Sequence, residues 1–333
     1  MTSSPAGPHR FPDPGNLTLD VLDRLADHRD DVALRTLEDG TWIDVTLGRF
    51  HASVLEVAAG FLAAGIVAGD RIALMSKTRY EWTVVDYATW WIGAVTVPVY
   101  ETSSQDQAEW ILADSGAVAV VVETPAHADL VEQARRGAPS VRHVWGIESG
   151  GLADLVASGT EVAADAVEQR RAGIGSHDLA TIIYTSGTTG RPRGCRLTHA
   201  NLRAEIGGAL ERLPEVFGHK DASTLLFLPL AHVFARVIQV GAIRSGAVLG
   251  HTSDVRDLVE HLGQFRPTFV LAVPRVFEKV FNSASGKAYA DNRGKIFDRA
   301  VATAIAHSKA RDTGGPGIAL RSRHAVFDRL VYG

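Results

Sequence analysis

ATIIYTSGTTGRPRGCRLTHANL, residues 180–202, changes character twice. Its first six residues are apolar or β-branched, the pattern of a buried strand. Residues 185–194 then hold three glycines, four hydroxyl side chains and two arginines, a composition without use in a packed core. From Thr198 onward the spacing turns helical, with Thr198 as N-cap of a helix over His199 to Leu210. Strand, hydroxyl-rich loop, then helix is an arrangement that binds phosphate. Glycines let backbone N–H groups close on oxygens. Ser186, Thr188 and Thr189 can donate further hydrogen bonds, and Arg191, Arg193 and Arg196 can offset phosphate charge. Neither G-x-x-x-x-G-K-[ST] nor G-x-G-x-x-G can be written through the segment, and an exposed turn without ligand is the competing reading.

On either side, short β-rich runs alternate with helical patterns. RIALMS (71–76), AVTVPVY (94–100), AVAVVVE (117–123), RHVWGI (142–147), TLLFLP (224–229) and FVLAVP (269–274) read as buried strands. Thr46 to Ala64, Arg79 to Trp91 and Gln105 to Ser115 read as helices between them. Such alternation predicts an α/β fold, with parallel-rich sheets flanked by helices on both faces. SGGLA (149–153) and AGIGSHD (172–178) look like connectors. The expected organisation is a mobile segment over 1–16, a first α/β region over 17–171, and a second over 172–333 that carries the loop. Phe297, Ala300, Val301, Ala304 and Ile305 recur at helical spacing and predict an amphipathic helix that ends before RDTGGPGI.

Composition narrows the function classes. The chain has 333 residues, 46% hydrophobic and 22% charged, enough for two globular domains. A net charge of −4 offers no general attraction to nucleic acid. The single cysteine, Cys195, excludes a disulfide within the chain, fits a reducing compartment and reads as an inert passenger. The first residues lack the apolar core of a signal peptide, and the longest apolar runs are too short to cross a bilayer. These features predict a cytoplasmic protein, with peripheral membrane contact left open.

With those residues in view, YTSGTTGRPRG (184–194) resembles the phosphate-loop signature of the AMP-forming acyl-CoA synthetases, the adenylate-forming superfamily. The long-chain fatty acid CoA ligases of actinobacterial type are most similar. RIALMSKTRYEWTVVDYATWWIGAVTVPVYETSSQDQAEWILADSGA (71–117) looks like their first α/β region, FLPLAHVFARV (227–237) like their next core motif, and VPRVFEKVFNSA (273–284) like the long-chain subgroup. The resemblance implies a large, incomplete N-terminal domain of an adenylate-forming enzyme. It implies ATP-dependent activation of a fatty acid through an acyl-adenylate to acyl-CoA, with ATP, Mg²⁺ and coenzyme A taking part. Carried over by position, Thr185 approaches Mg²⁺, and Ser186, Gly187, Thr188, Thr189 and Gly190 wrap the β- and γ-phosphates. Arg193 and His232 are the implied catalytic residues, His232 near the acyl pocket and nucleotide. The competing reading of His232 is a core or cap histidine. Arg236 reads as a solvated or salt-bridged side chain, and Trp90 and Trp91 as core.

Two departures from the pattern matter. The family's loop usually ends in Pro-Lys-Gly, whereas this one ends in Pro-Arg-Gly; Arg193 keeps the charge but presents a planar fork, which implies reduced but not abolished function. The sequence also reaches FDRLVYG about halfway along the family's length. It lacks the Tyr-Gly-x-Thr-Glu segment, the aspartate that grips ribose, and the C-terminal domain with its adenylation lysine. The resemblance therefore implies that the missing half is required, and that the isolated chain is marginally stable. A non-catalytic remnant that binds nucleotide phosphate or a partner half stays open, as does a fatty acyl-AMP ligase feeding a carrier protein.

Overall fold

A computed structural model describes residues 15–185, 191–254 and 256–332. The chain divides into two compact units, one up to Leu271 and one from Ala272.

The larger unit begins with helix α1 (Leu19–His28) and the antiparallel pair β1 (Val32–Glu38) and β2 (Thr41–Thr46). Helix α2 (Leu47–Ala63) starts where the Thr46 side chain accepts the Arg49 N–H at 3.2 Å. The alternation read from sequence follows: β3 (Arg71–Met75), α3 (Tyr80–Trp91), β4 (Val95–Val99), α4 (Gln105–Ser115), β5 (Ala119–Val122), α5 (Pro125–Ala134) and β6 (His143–Gly146). Helices α6 (Gly151–Ser158) and α7 (Ala164–Ala172) precede the pair β7 (Leu179–Thr185) and β8 (Arg193–Thr198). Then come α8 (His199–Arg212), α9 (Pro214–Phe217), β9 (Ser223–Leu226), α10 (Val233–Ser245), β10 (Val248–His251) and α11 (Leu258–Phe265).

The strands form two sheets. One has the order β6-β5-β3-β4-β7-β8, parallel except for β8. The other has the order β2-β1-β10-β9, parallel except for β2. Strands from both sides of residue 172 thus share each sheet: β4 meets β7, and β1 meets β10. The central strands β3, β4 and β5 are buried almost throughout, because helices cover both faces. Trp82, Trp90 and Trp91 lie fully inside, two of them as read from sequence.

Three expectations are corrected. FVLAVP is no strand: Phe269 makes one isolated bridge to Thr224, and the run remains half-buried before a helix starts at Pro274. Its entry is held at Ser223 alone, whose carbonyl accepts the Thr268 and Phe269 N–H groups at 2.9 and 3.2 Å, with Thr268 and Ser223 side chains adding bonds at 2.9 to 3.2 Å. SGGLA is only partly a connector, since α6 begins at Gly151. The third correction concerns β8 and belongs to the site below.

The smaller unit is helical: α12 (Pro274–Ala290), α13 (Gly294–Asp312) and α14 (Ile318–Phe327), closing in a π-type turn over Asp328–Tyr332. The amphipathic stripe predicted near 297–305 lies within α13, which ends before Gly314. Ala300 is buried, but Ile305 is 51% exposed. Phe281 packs against Phe297 at 5.4 Å between ring centroids, and His307 stacks on His324 at 3.9 Å. Among the described residues, no helix is long and apolar enough to cross a membrane.

Candidate active site

Strand β7 is tied in its middle to its neighbours. The Trp90 indole N–H donates to the Ala180 carbonyl at 2.8 Å, and the Thr181 hydroxyl to the Thr96 carbonyl at 2.8 Å. Buried from Ala180 to Tyr184, the strand delivers an exposed Thr185 at its carboxyl end. The expected phosphate contacts Ser186, Gly187, Thr188, Thr189 and Gly190 lie outside the described residues. The chain then returns as β8, with Thr185 opposite Arg193 and Tyr184 opposite Gly194.

Strands β7 and β8 therefore pair as successive antiparallel strands, and the expected strand-loop-helix order is corrected. The predicted helix does begin at His199, with Thr198 and Asn201 forming a capping box. It begins one strand later, however, and a helix dipole acts only within about its first turn. Strand β8 escaped the sequence reading because RGCRLT is mostly polar, as suits an exposed sheet edge blunted by charge. Cys195 lies on it, exposed.

Gly194 is required by close packing. A Cβ there would sit 2.7 Å from the Ile182 side chain and 3.1 Å from the Tyr184 ring. Tyr184 in turn donates its hydroxyl to Asp114 on α4 at 2.6 Å. Burial, with the Asp114 carboxylate beside it, pushes the phenol well up, so it stays a protonated donor. Of the three arginines, Arg191 lies with its guanidinium 4.7 Å over the Trp110 ring. The Trp110 N–H donates to the Pro192 carbonyl at 2.8 Å. Arg193 and Arg196 are exposed on β8.

The second element of the site follows β9. Residues 227–232 leave the carboxyl end of that strand, the usual ligand edge of an open α/β sheet. The Thr78 hydroxyl steadies them by donating to the Leu228 carbonyl at 2.6 Å. His232 is exposed and forms the N-cap of α10, its Nδ1 accepting the Phe234 N–H at 3.4 Å. One turn on, Arg236 is salt-bridged but not solvated: it is fully buried, with Asp86 at 2.5 Å and its guanidinium 5.4 and 5.3 Å from the Trp82 and Trp90 rings. Its other arm donates to the Thr181 hydroxyl on β7. The helix that starts at His232 is thereby fastened to the strand that ends at Thr185.

Around this pair runs a fully inward network. Gln239 donates its amide to Asp86 at 3.0 Å, which turns its oxygen toward the Thr83 hydroxyl at 2.9 Å. Thr83, having donated there, accepts from the His251 Nε2 proton at 2.9 Å. Burial drives the His251 ring down to a pKa of about 4, so it is neutral. Burial also raises the Asp86 carboxyl and lowers Arg236, and their mutual contact opposes both shifts.

Two hollows were not read from sequence. Beside α10 lies an apolar cavity of about 340 Å³, lined among others by Ile206, Leu210, Phe217, Val233, Phe234 and Val237. The pairs 206/210 and 233/237 at helical spacing were its signal. A hollow of about 550 Å³ opens at the carboxyl ends of β3, β5 and β10, where Arg79 meets Glu81 at 2.8 Å and Glu148 at 3.4 Å. Burial pushes the Glu81 carboxyl up, but the Arg79 contact outweighs it and holds the group below its usual range. Thr185, the expected magnesium contact, offers one exposed hydroxyl. Among the described residues no three His, Cys, Asp or Glu gather to hold a metal ion.

Comparison with known proteins gives four matches. The profile of the AMP-binding enzyme family matches residues 22–315. The long-chain-fatty-acid–CoA ligase FadD15 of Mycobacterium tuberculosis is 45% identical over 320 residues, covering 95% of this chain and 53% of that protein. Among solved structures, the N-terminal domain of FACL13 from Mycobacterium tuberculosis superposes with a TM-score of 0.66 at 25% identity, covering 79% of this chain and 64% of that one. A long-chain-fatty-acid-CoA ligase (FadD1) from Archaeoglobus fulgidus gives a TM-score of 0.70 at 20% identity, over 85% of this chain and 56% of that one. The chain spans about half the length of the curated relatives it matches.

Proposed function

The chain belongs to the AMP-binding enzyme family, and from that premise we propose that it is part of a long-chain fatty acid CoA ligase. The observation that carries the reading is the 45% identity, across 95% of this chain, to a ligase of that printed specificity. The activity is proposed for a protein of the relatives' full length. A fatty acid carboxylate oxygen attacks the α-phosphorus of ATP. A new P–O bond forms to the acyl oxygen, the bond to the bridging oxygen breaks, and pyrophosphate leaves with the electron pair. The coenzyme A sulfur then attacks the acyl carbon, its proton passes to solvent, and AMP departs.

Both steps ask for positioning and charge neutralisation more than for covalent chemistry by the protein. In this reading the loop at the β7 end surrounds the β- and γ-phosphates, and Arg193 offsets the charge that builds on pyrophosphate. Magnesium supplies further neutralisation, with the Thr185 hydroxyl as its contact from these residues. His232 precedes Val233 and Phe234, which line the apolar cavity beside α10, and Arg236 ties the same helix to β7; in this reading the acyl chain takes the cavity side and the nucleotide the other.

The test is exchange of labelled pyrophosphate into ATP by the gene product purified from its own cells. Exchange that requires a long-chain fatty acid, followed by thioester formation with free coenzyme A, is the expected result. No exchange with any fatty acid contradicts the reading. Adenylate formation without a coenzyme A thioester turns it toward delivery to a carrier protein.

A further inference from the structure

We propose that His307 and His324 form an acid-sensitive clasp, which holds α14 against α13 at neutral pH and releases it in mild acid. Each histidine sits in the covered stripe of its helix. On α13 that stripe includes Ala300, Thr303 and His307, and on α14 it is Leu320, His324 and Phe327, at the spacing of one helical face. The stripes meet where the two rings stack, 3.9 Å between centroids and 28° between planes. No residue of α14 is fully buried, so little apolar area holds the helix in place. The turn before it is open: Gly314 and Gly315 take φ of +104° and +98°, and a Cβ on Gly314 would meet nothing within 4 Å. A helix on a glycine hinge with so few contacts opens at low cost once its ring pair parts.

Packing alone does not call for imidazole at either position. A seam between helices is ordinarily apolar, and leucine or phenylalanine would fill it without any polar atom to desolvate. Both positions instead carry the side chain whose charge changes between about pH 5 and 8. The groups that face the pair add positive charge. Arg311 lies one turn after His307 on α13, and Arg321 lies three residues before His324 on α14. Asp328 and Arg329, past the end of α14, are exposed and opposite in sign, and α12 meets α13 at Phe297, ten residues before His307. Lost hydration in the stack, then the charges of His324, Arg311 and Arg321, hold the His307 ring below its ordinary value. Protonation is therefore easier with α14 released, where the rings are apart and hydrated. The advantage of the closed state is complete above the ordinary histidine value of about 6.5 and is lost as the pH falls below it.

The test is amide hydrogen exchange of the full-length protein at about pH 7.5 and about pH 5.5, read as protection factors so that the intrinsic effect of pH cancels. Residues 318–327 should lose about 3- to 10-fold in protection at the lower pH, while residues 295–305 of α13 keep theirs. His307→Phe keeps a ring on His324 and removes one titrating group, and a phenyl face accepts a protonated imidazole. Protection of 318–327 in that variant should be the same at both pH values. His324→Phe makes the same exchange from the other helix, and should also abolish the fall. Equal protection of 318–327 at the two pH values in the wild type overturns the proposal. A fall of wild-type size in both variants overturns it too, since other groups would then open the helix. No substrate enters the measurement, so its outcome is independent of the ligase reading.

Discussion

The two strand ends proposed to carry the site are held in opposite ways. His232 is fixed from inside, through a fully buried arginine that reaches Asp86, Thr181 and two tryptophan faces. The β7–β8 pair is held from outside, through part-buried contacts between α4 and residues 184, 191 and 192. A buried pair is costly to desolvate and costlier to break, so the inner tie is coupled to the stability of the whole unit. The outer tie lies near solvent, where a contact contributes little to folding and can vary with function. The same distinction separates what should unfold the protein from what should only retune it.

The largest effect is expected at the inner tie. Arg236→Met leaves Asp86 buried without its partner and costs about 3–5 kcal/mol, read by denaturant unfolding. Replacing both, as Asp86→Leu with Arg236→Met, should recover a good part of that loss. A double variant as unstable as the single one would mean that packing, not charge, holds α10 to β7. The next effect is pH-dependent and belongs to the interior too. Burial holds His251 and His199 at a pKa of about 4 in the fold, against an ordinary 6.5. As pH falls from 6.5 toward 4, the unfolded chain takes up protons that these rings refuse, and stability is lost.

Asp20 works the other way. Burial, opposed by Arg203 and Arg244, raises its carboxyl to about 6, so the folded state binds a proton first and gains stability as pH falls through that value. Taken by themselves, the two histidines outweigh Asp20 by about 3 kcal/mol between pH 6.5 and 4, while burial of Asp86 acts in the same sense as Asp20. Unfolding free energy that is flat or rising across that range would contradict the neutral, buried histidines. Smaller still is the outer hairpin: Gly194→Ala forces a methyl against Ile182 and Tyr184 and costs about 1–3 kcal/mol. Thr198→Ala, which removes the α8 cap, costs about 1 kcal/mol and leaves ATP binding unaltered, since the loop lies a strand away. A loss of nucleotide affinity in Thr198→Ala would reopen the strand-loop-helix arrangement that the hairpin replaced.

How much of this was legible in the sequence follows from the same contrast. RIALMS, AVTVPVY and AVAVVVE announced their strands because both faces are buried and no polar residue interrupts them. RGCRLT did not, because an edge strand can be polar on both faces, and a loop that returns as a strand reads like one that enters a helix. Thr198 as a cap was visible because its chemistry is local. Arg236 could not be placed, since its burial depends on Asp86, which lies far away in the chain and shows no charge pattern with it. Trp110 read only as part of a helix; its partner carbonyl belongs to the backbone, which a sequence does not display. FVLAVP failed for the reverse reason: its apolar run is β-like, but its pairing stops at the single Phe269–Thr224 bridge, and a helix starts at Pro274.

The most direct test of the central claim, that the hairpin tip holds nucleotide phosphate, is the calorimetric affinity of the full-length protein for ATP with Arg193→Ala and Arg193→Lys. A charge-assisted contact to phosphate predicts a fall of about 10- to 100-fold in Arg193→Ala and a smaller change in Arg193→Lys. An Arg193→Ala protein that binds ATP as tightly as the wild type would contradict the account.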